Sequence, residues 1–111
     1  MEYHVLAIGD VVGENGLAHL ERHLRPLQKM KNIAFTVVNG ENASGVGLTP
    51  EQARRIYDAG ADAVTLGNHT FGKMQIAKFL DDVPYLLRPA NFTGRAPGHG
   101  WEIFDRGGVT F

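Results

Sequence analysis

Five side chains able to bind metals or exchange protons follow three short apolar runs of the 111-residue chain. Asp10 follows the first run, Glu41 and Asn42 the second, and Asn68 and His69 the third, with a glycine directly before each group. Taken singly, each group is typical of a turn, a helix N-cap or a hydrogen-bonded histidine. Together they offer two carboxylates, two amide oxygens and one imidazole. Such a set suits divalent Mn, Fe, Mg or Zn.

The three apolar runs indicate buried strands of a parallel sheet. Residues 5–8, 33–38 and 61–66 are apolar runs of the kind found in strands covered on both faces. Between them, residues 16–31 repeat leucine at helical spacing, although Pro26 is expected to break or kink that helix. The second intervening helix is predicted to start at Thr49, with a capping box closed by Gln52.

The rest of the chain extends the same alternation of strands and helices. A third helix is predicted over residues 73–82 and a fourth strand over 85–87, followed by a hairpin within 101–111. This order predicts an α/β fold, a βαβαβ parallel sheet layered with helices. Because ligands collect beyond the carboxyl ends of parallel strands, the three polar groups should converge at one edge. Glu41, on the middle strand, is placed to bridge two ions, which typically lie roughly 3.5–4 Å apart.

The composition is that of an ordinary globular domain. Eleven basic and twelve acidic residues give a formal charge of −1, so no general attraction to nucleic acid or anionic membrane is indicated. There is no cysteine, which excludes thiolate metal sites and disulfides. No apolar run has membrane-spanning length, and the N-terminus lacks a signal-peptide pattern. We therefore expect residues 1–111 to form a single α/β unit of a cytoplasmic protein without a membrane partner.

Four ordered motifs carry a resemblance to a known family. They are Ile8-Gly9-Asp10-Val11-Val12-Gly13, Asn39-Gly40-Glu41-Asn42-Ala43, Leu66-Gly67-Asn68-His69-Thr70 and Arg88-Pro89-Ala90-Asn91-Phe92. This set resembles the calcineurin-like metallophosphoesterases and, more narrowly, their bacterial YmdB-like branch. The resemblance runs from the first strand to about residue 91. It implies a fold corresponding to the first half of a metallophosphoesterase α/β sandwich.

The resemblance also implies a binuclear metal centre for phosphodiester hydrolysis, including that of 2′,3′-cyclic nucleotides. It places Asp10 on the first metal, Glu41 as the bridge, and Asn42 and Asn68 as further ligands. His69 is implied to be catalytic, protonating the leaving group or stabilising the transition state, with metal-bound hydroxide as the attacking group. Two divalent ions are expected, Fe or Mn first and Mg or Zn as alternatives. The expected substrate is a small phosphodiester or nucleotide, with nucleic acid only as a substrate, and the expected assembly is a homo-oligomer.

Two departures from the wider superfamily narrow the expectation. Val12 stands where many members have histidine, and Glu41 replaces the usual aspartate, and both are features of the narrower branch. The family's later histidine ligands have no counterpart here, since His99 does not match their motifs. Two six-coordinate ions need about ten donors, and four side chains supply roughly four to six. We therefore expect the chain to be the N-terminal part of a longer catalytic domain.

Other interpretations of the same residues remain open at this point. The chain could be a non-catalytic module that binds a metal or a phosphate, whereas a flavodoxin-like nucleotide carrier is disfavoured because its phosphate loop is absent. Arg88 and Asn91 could contact substrate phosphate or anchor the turn at Pro89. His19 and His23 are predicted to lie on the solvated surface. Met74 and Trp101 are predicted to be packing residues.

Overall fold

Four parallel strands form the sheet that organises the chain. The structure is a computed structural model describing all 111 residues. The strands are β1 (His4–Ile8), β2 (Ile33–Asn39), β3 (Ala63–Thr65) and β4 (Leu86–Leu87), which pair in the order β1-β2-β3-β4. The helices between them are α1 (Gly13–Lys31), α2 (Pro50–Ala59) and α3 (Ile76–Asp82). The predicted α/β fold with a parallel sheet is confirmed.

All three helices pack on one face of the sheet. One continuous apolar cluster joins residues of each helix to inward-facing residues of three strands. Its fully buried members include Leu17, Ile56 and Leu80 from the helices and Val38 and Val64 from the sheet. Burying a side chain of this size stabilises the fold by about 1.5–3 kcal/mol. This helix layer therefore holds the strand ends in a fixed arrangement.

A small hairpin covers part of the opposite face. It consists of β5 (Asp105–Arg106) and β6 (Val109–Thr110), which pair antiparallel as the sequence predicts. The rings of Phe104 and Phe111 lie 5.3 and 4.8 Å from the Phe35 ring. The face of β1 beyond the hairpin is open, and Val5 is 56% exposed there.

Helix α1 continues through Pro26 to Lys31, so of the two effects predicted for this proline, a break or a kink, the break does not occur. Proline removes one backbone hydrogen bond, but tertiary contacts on both sides hold the helix. Leu24 is buried in the core, and the Gln28 amide donates to Thr36 Oγ1 and Gly60 O, each at 2.8 Å.

Two packing predictions also fail. Met74 and Trp101 are 79% and 71% exposed, because no other element lies over either side chain. Helix α3 begins at Ile76, three residues later than predicted, although Ile76 and Leu80 are buried as expected.

None of the helices is both long and apolar enough to cross a membrane.

Candidate metal and catalytic site

Backbone hydrogen bonds beyond the strands bring the three polar groups to one edge of the sheet. Val11 N donates to Asn39 O at 3.1 Å, and Gly13 N donates to Asn42 O at 3.0 Å. Gly40 N in turn donates to Thr65 O at 3.0 Å. These bonds tie the end of β1 to that of β2, and the end of β2 to that of β3. The predicted convergence at the carboxyl edge is therefore present in the backbone.

Asp10 and Asn42 form one half of the site. Asn42 Nδ2 donates to Asp10 Oδ1 at 2.7 Å, which joins the turns after β1 and β2. Asp10 has a φ of +32°, a left-handed conformation that costs energy in residues other than glycine. Its side chain is exposed at the sheet edge. The strained backbone thus presents a carboxylate outward, within reach of an amide from the next strand.

Glu41 and His69 form the other half. Glu41 Oε2 accepts the backbone N–H of His69 at 3.2 Å and lies 3.8 Å from His69 Nδ1. Nδ1 is buried and has no hydrogen-bond partner, whereas the His69 side chain as a whole is 43% exposed. The Glu41 side chain is only 18% exposed. One carboxylate therefore contacts both the backbone and the ring side of the candidate catalytic histidine.

The glycine before Asn68 has a specific role in this contact. A Cβ added at Gly67 would overlap the Glu41 carboxylate, lying 2.5 Å from Oε1. Gly67, Gly9 and Gly40 all have φ values outside the left-handed region, so these strand ends need no conformation that is restricted to glycine. The left-handed residue at these strand ends is Asp10 itself. Gly67 instead leaves the space that the carboxylate fills.

Asn68 follows Gly67 in the turn after β3 and is exposed. The turn that carries it is fixed by Thr70, a fully buried residue that the motif analysis did not single out. Thr70 donates to Gly67 O from its hydroxyl at 2.6 Å and from its backbone N at 3.1 Å. A threonine three residues after a strand end, able to bond back to the chain, was the available signal.

The donor chemistry fits divalent cations. Two carboxylates and two amides at one edge are ligands that Mn²⁺, Fe²⁺ and Mg²⁺ accept. His69 Nδ1 is buried without a hydrogen-bond partner, and the Glu41 carboxylate fills the space next to Gly67. Both features are consistent with a site that binds a polar ligand. No three His, Asp or Glu side chains come together as a chelating group. The edge therefore offers ligands from separate turns rather than one closed cage.

The other candidate residues lie apart from this chemistry. Arg88 is buried, and its guanidinium donates to Pro97 O and Pro89 O at 3.1 Å each, so it anchors the turn after β4. His19 and His23 are exposed on α1, as predicted, and their ring centroids lie 4.2 Å apart with the rings tilted by 42°. They line an apolar groove of about 340 Å³ that ends at Asp10.

Comparison with known proteins identifies the family. The sequence model described as "YmdB-like protein" matches residues 6–110. The chain belongs to the YmdB-like family. A Bacillus subtilis (strain 168) relative named 2′,3′-cyclic-nucleotide 2′-phosphodiesterase is 46% identical over 97 residues, covering 86% of this chain and 37% of that protein.

Two crystal structures share the YmdB-like fold. A hypothetical protein from Thermus thermophilus matches with a TM-score of 0.84 and 33% identity, over 96% of this chain and 41% of that one. A structure described as a novel phosphatase from Mycoplasma pneumoniae matches with a TM-score of 0.81 and 28% identity, over 93% and 38% of the two chains. The chain thus spans about two fifths of the length of the relatives it matches.

Proposed function

We propose that the chain contributes half of the active site of a metal-dependent phosphodiesterase that acts on 2′,3′-cyclic nucleotides or similar small phosphodiesters. The observation that carries this proposal is the contact of Glu41 with both His69 N and His69 Nδ1, beside the Asp10–Asn42 pair. Support for the substrate class comes from the Bacillus subtilis relative, whose name states that activity.

In this proposal Asp10, Glu41, Asn42 and Asn68 would hold two divalent ions. Iron or manganese is proposed first, in line with the resemblance to the metallophosphoesterases, and magnesium or zinc are the alternatives; the four side chains themselves supply oxygen donors. When bound, such ions polarise the phosphate oxygens and lower the pKa of a coordinated water toward neutrality. Four side chains fill only part of two coordination spheres. We therefore infer that the remaining donors come from further polypeptide outside residues 1–111.

His69 is the proposed proton donor. Its Nδ1 faces Glu41 and is buried, which leaves Nε2 as the nitrogen available to a substrate. A proton at Nε2 can pass to the oxygen that leaves when the phosphodiester bond breaks. General acid catalysis of this kind contributes about 10²–10⁴-fold to the rate. The hydrogen bond from His69 N to Glu41 fixes the His69 backbone relative to a proposed metal ligand.

The test is hydrolysis of adenosine 2′,3′-cyclic phosphate by the full-length protein loaded with Mn²⁺. We expect His69→Ala to lower kcat about 100-fold or more while metal content is unchanged. We expect Asn68→Ala to lower both activity and metal content, because it removes a ligand. His23→Ala, an exposed histidine on α1, is the matched control and should have wild-type activity. Full activity in both site variants would refute the assignment.

A further inference from the structure

The contact between Gly67 and Glu41 links two turns that belong to different strands. Glu41 follows β2 and Gly67 follows β3, yet the space for a Gly67 Cβ is occupied by the Glu41 carboxyl carbon and both its oxygens. We call this space the Gly67 notch. By contrast, a Cβ at Gly9, the equivalent position after β1, would meet no atom within 4 Å. The notch is therefore particular to one of these two strand ends.

The notch also sets the position of His69. The same Oε2 that fills it accepts the His69 backbone N–H at 3.2 Å and lies 3.8 Å from Nδ1. If the Glu41 carboxylate were displaced, its contacts with His69 N and with His69 Nδ1 would be lost together. The ring Nδ1 would then lose the carboxylate beside it, and it has no hydrogen-bond partner in the chain.

Hydrogen bonds hold both turns in place. The Gly67 turn is held by two bonds from the fully buried Thr70. The Glu41 turn is held by the Gly40 N to Thr65 O bond, and Gly40 itself packs so closely that a Cβ there would lie 3.0 Å from Ile56 Cδ1. Any side chain at position 67 must therefore rotate the carboxylate out of place.

We propose that Gly67 is a positioning residue whose missing side chain seats the Glu41 carboxylate for metal binding and, through it, orients His69. This proposal rests on the proposed function for its consequence in catalysis, but the contact itself can be measured without turnover. Because φ at Gly67 is not left-handed, alanine meets no backbone obstacle there and the carboxylate is the main obstruction.

The first test is a double-mutant cycle on the stability of the metal-free, full-length protein. Gly67→Ala should lower Tm modestly in the wild-type background, because the displaced carboxylate loses its bond from His69 N, and little in a Glu41→Ala background, where that bond is already absent. Gly9→Ala is the matched control and should behave alike in both backgrounds. If Gly67→Ala fails to fold alone but folds with Glu41→Ala, the proposal is supported. An equal loss, or unfolding, in both backgrounds overturns it.

The second test follows the ligand and the ring. We expect Gly67→Ala to weaken Mn²⁺ binding about 10- to 100-fold, the usual effect of disturbing a ligand's support, and to shift the His69 ring resonances of the metal-free protein. Gly9→Ala should change neither. Wild-type Mn²⁺ affinity and unshifted His69 resonances in Gly67→Ala would overturn the inference and leave the proposed activity standing. Lack of phosphodiesterase activity in the wild type would refute the function alone.

Discussion

At the scale of single residues, Asp10 combines a strained backbone with a candidate ligand. Its φ of +32° suits asparagine and aspartate far better than alanine. We therefore expect Asp10→Asn to keep the stability of the metal-free protein, whereas Asp10→Ala should lose about 1–3 kcal/mol, from backbone strain together with the lost acceptor for Asn42 Nδ2. Chemical denaturation measures the difference. Both variants should lose Mn²⁺ affinity, so equal stabilities with equal metal loss would contradict the strain argument alone.

The residue types of the site could be predicted from the sequence, but their mutual contacts could not. Polar groups after three apolar runs were enough to place Asp10, Glu41 and His69 at one edge, because parallel strands end on the same side. The contact at Gly67 could not be predicted, since the sequence shows a missing side chain without showing what fills its space. That information lies in the packing of Glu41, which belongs to the turn after a different strand.

At the scale of elements, one arginine joins the first two helices. Arg55 on α2 donates to Glu14 and Glu21 on α1 at distances from 2.6 to 3.0 Å. These hydrogen bonds hold the pKa of both glutamates below its usual value. A carboxyl with a lowered folded-state pKa stabilises the fold at pH values above its unfolded pKa, near 4.5, and that stabilisation is lost as pH falls through the folded value.

We therefore expect Arg55→Gln to lower Tm slightly at pH 7, with the difference from wild type shrinking as the pH falls below about 4.5. The effect should be small and should shrink in high salt, because the cluster lies at the surface. Thermal melts of both proteins across pH and salt provide the measurement. Arg22→Gln, an exposed arginine on α1, is the control. A difference that grows on acidification would contradict this account.

Helix ends that depend on neighbouring residues were predicted better than features that depend on contacts with distant residues. The Thr49 capping box forms as expected, with Thr49 N donating to Gln52 Oε1 at 3.0 Å and Gln52 N donating to Thr49 Oγ1 at 3.2 Å. Both partners lie within one helical turn, so the sequence contains the whole interaction. Pro26 was misjudged because the contacts that keep α1 intact come from β2 and the end of α2.

At the scale of the whole molecule, the sheet has one fully covered face and one partly covered face. The alternation of strands and helices predicted the parallel sheet, but not that all three helices would share one side. The second face holds a separate small cluster built on Phe35, Ala63 and Phe104. Trp101 was expected to join a core and is instead exposed. The apolar character of a residue does not by itself indicate whether another element will cover it.

Because the two faces are covered to different extents, we expect the hairpin and the central strands to unfold locally with different free energies. The hairpin is held by the Phe104–Phe111 backbone pair, at 2.8 and 2.7 Å, and by the 2.8 Å bond from Arg106 Nε to Asp62 Oδ1. It adds few buried apolar residues, so it should open with a lower free energy than the central strands. Arg106→Ala removes the bond to the sheet side while leaving both rings in place. Native-state hydrogen exchange should then be faster at the Phe104 and Phe111 amides and unchanged at Val64.

Arg95→Ala, an exposed arginine in the preceding loop, is the matched control for that measurement. It should leave exchange at all three amides at wild-type rates. Equal acceleration at Val64 in Arg106→Ala would mean that the hairpin and the helix-covered sheet open as one unit. Faster exchange at Phe104 and Phe111 with an unchanged rate at Val64 would instead mean that the hairpin opens while β3, which leads to the carboxyl edge, stays closed. The candidate site would then depend on the helix layer and not on the hairpin.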